Sequence, residues 1–422
     1  PINGSTLPVK LNSPLVSGYG VFYGYQISPD SGRVVYQADQ NNDYVLELYS
    51  VPIDGSTPPI QINTPMPSGH DLSSFQISNN GNTVVYRADQ DTIGVHELYS
   101  VPIDGSAAPT KLNHTLANGS EVWLFQFSSA GNLLVYSVKN VSMPYTTDLY
   151  SVPLDGSTAP IKLNETLGPG GTLGSYFKIS AGSNRVVYLS AYDYMSEPEL
   201  YSAPFDGSTA PTKLNGTLVS GGEVKEFQIS TDGIYVTYLA DQDTNYIDEL
   251  YSVPIDGSST PIKLNGTLVS GGIVSIYQIS ADSSQVVYRA DQNTDDIYEL
   301  FSVPLNGSTV PIKLNGALVS GGGVSWAKIS ADSSRVVYQA DQDTYGVTEL
   351  YGVPLDGSTS PTKLNGTLTS GGTVRAFQIS ADNDWVVYSA DQDADEVIEL
   401  YAYGESTLVL HTLYLPVIAV ND

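Results

Sequence analysis

Carboxylates recur along this chain at a spacing that could hold a metal ion. Asp39, Asp89, Asp241, Asp291, Asp341 and Asp391 each stand between an alanine and a glutamine. Four of these runs continue to a second carboxylate, at Asp91, Asp243, Asp343 and Asp393. Alternating carboxylates in a loop suit Ca²⁺, which takes about six to eight oxygen ligands. Asp241, Asp243, Asp341, Asp343, Asp391 and Asp393 are therefore the candidate ligands, and Ca²⁺ the one cofactor to consider. The glycine of a tight calcium loop is not regular here. The same spacing also serves a hairpin loop whose Asp side chains accept backbone N–H groups.

Catalytic constellations have less support. His70, His96, His114 and His411 fall at unrelated positions, and no serine is matched to a base. There is no cysteine, hence no thiol nucleophile and no thiolate metal site. Carboxylate pairs recur because a larger unit recurs, so no single pair stands out as an acid and base. The sequence-based expectation is a protein that is not an enzyme.

The larger unit is about fifty residues long and occurs eight times. Glu-Leu-Tyr-Ser begins at Glu47, Glu97, Glu199 and Glu249, with variants at Asp148, Glu299, Glu349 and Glu399, always 50 or 51 residues apart. A fixed period of this size means one supersecondary unit stacked many times. In the last unit, residues 373–380 read as a strand, 381–384 as a turn, 385–390 as a second strand and 397–402 as a third. Pro361 to Asn365 reads as the short fourth strand of the unit before, entered through the turn Asp356-Gly357-Ser358. Four short strands per repeat with no helical period predict an all-β fold. The expected form is a single eight-bladed β-propeller of four-stranded blades.

The repeat also accounts for conspicuous residues. Half of the 30 tyrosines sit at two repeat positions, which predicts packing between blades. Seven of the 17 basic residues are lysines in the fourth strand: Lys10, Lys111, Lys162, Lys213, Lys263, Lys313 and Lys363. A lysine near a proline on an exposed outer strand is expected to blunt that edge against pairing. Repeats three and four depart from the pattern, with 137–143 and 191–198 replacing the acidic loop.

One unit, Ile329 to Asp343 followed by Glu349-Leu350-Tyr351 and Asp356-Gly357-Ser358, resembles the TolB-like group of WD40-like propeller repeats. Ser28-Pro29-Asp30-Ser31 is the nearest match to the opening of that group's pattern. The resemblance covers nearly the whole chain. It implies a propeller, and implies little about activity, because such repeats serve as binding platforms, enzyme lids and structural modules.

The ends make the sharpest expectation. Pro8, Val9, Lys10, Leu11 and Asn12 match a fourth strand that has no preceding strands, and the last repeat has only three. Joining them would close the ring, with 1–12 completing the last blade of a domain spanning 1–403. Residues 404–422 remain as a β tail, in which Leu408, Val409, Leu410, Leu413, Tyr414, Leu415, Val417 and Ile418 are the candidate assembly residues. That tail could lie on its own propeller, pair with a neighbour by β-augmentation, or link to another element.

A net charge of −28 argues against nucleic acid and anionic lipid as partners. No apolar run reaches the roughly 18 residues of a membrane span. A start at Pro1 and nine Asn-x-Ser/Thr sequons fit a secreted or cell-surface protein, with Asn215, Asn265 and Asn365 as glycosylation candidates. The combined expectation is a non-enzymatic extracellular structural protein, self-associating head-to-tail into a homo-oligomer or filament. The alternative is an extracellular propeller that binds a protein or glycan ligand.

Overall fold

The structure, a computed structural model, describes residues 7–15, 20–40, 45–140 and 146–404, apart from the side chains of 22, 23 and 174–176. Two compact units make up the chain, Pro1–Leu264 and Asn265–Asp422. Among the described residues there is no helix, and so none long and apolar enough to cross a membrane. Every repeat forms its own antiparallel sheet, with strands in chain order.

The first unit holds five such sheets of four strands. Its fifth sheet is representative: Val224–Ile229, Tyr235–Ala240, Glu249–Pro254 and Ile262–Lys263. The second unit holds two four-stranded sheets and one of three strands, Val374–Ile379, Trp385–Ala390 and Glu399–Gly404. The second strand of that last sheet has the expected bounds. Its first strand is shorter at both ends than 373–380, and its third lies two residues beyond 397–402. Eight repeated sheets of this kind give the chain a propeller-type organisation.

Interior sheets bury both faces, which is why their second strands are apolar on consecutive residues, whereas burial alternates along Trp385–Ala390 of the last sheet. In the first sheet Val34, Val35 and Tyr36 are all buried. Val35 and Leu48 pack towards the next sheet, against Leu72, Phe75 and Tyr86. The same join recurs between Val187 or Leu200 and Phe227, and, in the second unit, between Val337 or Leu350 and Phe377. Within each sheet the two repeat-locked aromatics stack at 5.2–5.8 Å between centroids, Tyr238 on Tyr251 being the closest with Tyr288 on Phe301. The packing role expected of the tyrosines is the one observed.

The fourth-strand lysines do something other than guard an edge. Lys263 Nζ lies 2.7 Å from Glu249 in the neighbouring third strand, and Lys111, Lys313 and Lys363 make the same contact to Glu97, Glu299 and Glu349. Lys162 meets Asp148, and Lys213 meets Glu199. Gln61, the exception in sequence, donates to Glu47 at 2.9 Å and keeps the contact without the charge. The Glu is largely buried, so a donor opposite it compensates its desolvation. Burial alone would lower the pKa of Lys263, but Asp243 and Glu249 outweigh it and hold the ammonium above its ordinary value.

The outermost faces of the repeat array differ from interior ones. In the first unit Tyr25 is 72% exposed, while its counterparts Phe75 and Phe227 are 7% and 1%. An open apolar groove of about 300 Å³ lies there, lined by Leu11, Val21, Tyr25, Ile27, Val34, Tyr36 and Ile53. In the second unit Leu400 is 75% exposed, while Leu350 is fully buried.

Candidate functional site

The acidic loops come first because the sequence singled them out. Asp241 is buried, and its carboxylate accepts from Glu223 N at 2.6 Å and Tyr246 N at 2.9 Å. It thus ties the start of the first strand to the loop after the second. Asp89, Asp291 and Asp341 repeat this pair of bonds, to Asp71 and Gly94, Ile273 and Asp296, and Gly323 and Gly346. Asp391 accepts from Thr373 N at 2.5 Å. The backbone bonds outweigh burial and hold the Asp241 carboxyl below its usual range. Asp243 and Asp343 instead face Lys263 and Lys363, at 2.7 and 2.6 Å. The carboxylates that converge closely enough for one ion, among the described residues, are Asp291, Asp295 and Asp296. Both oxygens of Asp291 already accept N–H groups, which leaves a thin donor set for Ca²⁺.

The sequon asparagines Asn215, Asn265 and Asn365 are buried. Asn215 Oδ1 accepts from Leu200 N at 2.8 Å and its Nδ2 donates to Gly216 O at 2.9 Å; Asn365 does the same with Leu350 and Gly366. In the folded chain these side chains staple the third strand to the fourth. The assembly residues Leu408 to Ile418 lie outside the described residues.

Side chains free of the repeat gather at one structural position. In each fully described sheet the pairing of first and second strands slips by one residue, a β-bulge that turns one side chain away from the ladder. That residue is Ser73, Ser275 or Ser325 in regular repeats, and Trp123, Lys225 or Arg375 in the others. Trp123, in Ser120–Phe127, is 43% exposed. Arg87, in Thr83–Ala88, donates from Nη1 to Trp123 O at 2.9 Å, and its guanidinium carbon is 5.6 Å from the ring centroid. Lys139, in Leu133–Asn140, places Nζ 4.6 Å from the same centroid.

Glu121, two residues before Trp123, lies 3.8 Å from Arg87 and 3.2 Å from Nδ1 of His96. Burial pulls the Arg87 pKa down, and Glu121 opposes it. Two repeats on, Lys225 lies 2.7 Å from Asp248; burial alone would lower its pKa, but Asp248 outweighs that and raises it. Repeat four adds exposed Tyr192, Tyr194 and Met195, on a loop held by Gly168 N donating to Tyr192 O at 2.8 Å. The sequence flagged this loop and 137–143, which holds Lys139, but not Arg87, Glu121 or Trp123. His96 and Glu121 meet across two sheets, 25 residues apart, and the sole sequence signal was the departure of both from their repeat positions.

An imidazole oriented by a carboxylate can move a proton, and an exposed indole flanked by two cations can hold a ligand. Within the described part of the cluster no serine or other nucleophile is bonded to His96.

No family model matches this chain, and no curated protein matches it significantly in sequence. Solved structures match in fold. The crystal structure of Porphyromonas gingivalis dipeptidyl peptidase 4 aligns with a TM-score of 0.52 at 10% identity, over 86% of this chain and 57% of that one. A structure from work on two prolyl endopeptidases aligns at 0.41 and 13% identity, over 89% and 55%. Oligogalacturonate lyase in complex with manganese aligns at 0.35 and 12%, over 92% and 89%. This chain thus spans little more than half of the two peptidase chains. At such identity the likeness speaks for fold, and only the first alignment is close enough to do so.

The neighbours nonetheless correct the functional expectation. A chain without a visible catalytic constellation was expected to be a non-enzymatic assembly protein, yet the solved structure whose fold it shares is that of a dipeptidyl peptidase. Neither the filament expectation nor the exclusion of an enzymatic role stands.

Proposed function

We propose that this chain is an eight-bladed β-propeller that positions a ligand for an enzyme, at the first-strand bulge of repeat three. The observation that carries the reading is the cluster around Trp123, where Trp123 and Lys139 depart from an otherwise copied scaffold beside Arg87 and Glu121. The likeness to a peptidase of which this chain matches 57% supports a role as the β-repeat part of such an enzyme. The test is calorimetric titration of the chain with a panel of proline-containing peptides, neutral glycans and acidic glycans. Saturable binding of one class, lost in Trp123→Ala while Tm is unchanged, is the expected result. Binding by none, or binding indifferent to Trp123, would overturn it.

Closure of the ring belongs to the same proposal, with residues 8–12 as the fourth strand beside Glu399–Gly404. What supports it is that this segment meets the first sheet as a preceding fourth strand would. A Cβ on Gly55 would lie 2.6 Å from Val9 and 3.6 Å from Leu11, as one on Gly105 would lie 2.8 and 3.6 Å from Ile60 and Ile62. Ser13 N donates to Gln40 at 3.0 Å, as Gly216 N does to Gln242 at 2.7 Å. Closure puts Lys10 opposite Glu399 and buries Leu400. Leu400→Ala should then cost about 2–4 kcal/mol in denaturant unfolding, against about 0.5 or less for an exposed leucine.

A further inference from the structure

We infer that the Trp123 cluster is a subsite for an acidic sugar unit, one bearing a carboxylate or a sulfate; this rests on the ligand-positioning role proposed above. Charge is the first argument. The protein carries −28 overall, and its fourth-strand lysines Lys111, Lys162, Lys213, Lys263, Lys313 and Lys363 each meet a carboxylate. Lys139 has no carboxylate within ion-pair distance among the described residues, and the neighbouring stretch Val141 to Tyr145 contains no acidic residue. Two cations flank the indole: Arg87, which Glu121 and Asp71 both face, and Lys139, which meets no carboxylate among the described residues. The Lys139 ammonium, uncompensated among the described residues of a strongly acidic molecule, selects for an anion at that spot, and the remaining surface repels it.

Shape is the second argument. The bulge turns Trp123 outward, and its partner across the slip, Ser137, fixes the following backbone by accepting from Leu124 N at 3.2 Å. A flat, half-exposed indole matches the apolar face of a pyranose ring. Lys139 rests on that indole in the free protein. A ligand acid group would draw the ammonium off the ring, freeing the face for the sugar. Arg87, held to the Trp123 carbonyl, stays beside the ring as a second cation. An acidic peptide offers the charge without the flat C–H face, so the geometry favours the glycan.

The test is calorimetry on the full chain at low salt with four probes: hexagalacturonate, a chondroitin sulfate hexasaccharide, maltohexaose and hexaglutamate. At least one acidic glycan should bind about tenfold or more tightly than maltohexaose and hexaglutamate, and which one distinguishes carboxylate from sulfate. Trp123→Phe and Lys139→Met should each weaken that binding by about tenfold, and Lys328→Met should leave it unchanged. Lys139→Gln repeats the test should the methionine variant not fold. Equal affinity for maltohexaose or hexaglutamate, or indifference to Lys139, would overturn the acidic-sugar assignment. If another member of the wider panel bound in a Trp123-dependent way, that assignment would fail while the positioning role stood. Binding independent of Trp123 for every ligand would remove both.

Discussion

Along the third and fourth strands of repeats two, five, six and seven, one Glu–Lys contact returns four times within about 0.1 Å of the same length. At the first-strand bulge the side chain changes from serine to Trp123, Lys225 or Arg375. The two regions lie in the same sheets and have the same backbone. Positions that the repeat copies carry groups with recurring partners, whereas positions that it varies carry exposed side chains whose contacts differ from repeat to repeat. Copying therefore marks the scaffold here, and departure marks the surface available for chemistry.

Substitutions should separate the two. The largest expected loss is at the aromatic ladder. Tyr338 is fully buried, stacks on Tyr351 and donates its hydroxyl to Gln342 at 3.0 Å. Tyr338→Ala should cost about 3–5 kcal/mol in denaturant unfolding, whereas Trp123→Ala should fall within about 0.5 kcal/mol. Equal costs would erase the distinction.

Next is the asparagine staple. Asn215→Ala leaves the buried Leu200 N–H without its acceptor and should cost about 1–3 kcal/mol. Asn215→Asp, which keeps the acceptor oxygen, should recover part of that.

Acid should attack the copied loops. Asp241 and Asp391 titrate below the ordinary carboxylate range when folded, held down by backbone N–H groups. As pH falls the unfolded chain takes up these protons first. Their stabilisation is thus fully present above about pH 4 and is lost as pH drops through the folded values. Denaturant midpoints measured from pH 7 to pH 3 should fall mainly at the acid end, and less so in Asp241→Asn. A flat profile would contradict the loop role.

The smallest effect belongs to the outer edge. Lys363→Met removes a partly exposed ion pair and should cost less than about 1 kcal/mol, with the difference shrinking in high salt.

Much of this fold could be read from composition and period. Trp385-Val-Val-Tyr-Ser-Ala390 declared a strand buried on both faces; the strand found there has those bounds, but its burial alternates because the sheet is the last of the array. The lysine role was misread because strand edges were considered without the Glu one strand away, which the 14-residue separation of Lys263 and Glu249 conceals. Of the Trp123 cluster only Lys139, within 137–143, was marked by its departure from the repeat. Arg87, Glu121 and Lys139 belong to two adjacent sheets, and only packing brings them to one indole. The C-terminal stretch Leu408 to Val420 drew attention through its apolar run, but the expectation of self-association lost its warrant once a dipeptidyl peptidase proved to share the fold.

One measurement addresses the central claim directly. With Trp326 and Trp385 replaced by Phe, Trp123 is the sole indole in the chain. Its fluorescence can be followed while the peptide and glycan panel is titrated in. A saturable change with one ligand class, abolished by Lys139→Met, is what the account predicts. An emission spectrum indifferent to every ligand that calorimetry shows to bind would place the functional site elsewhere.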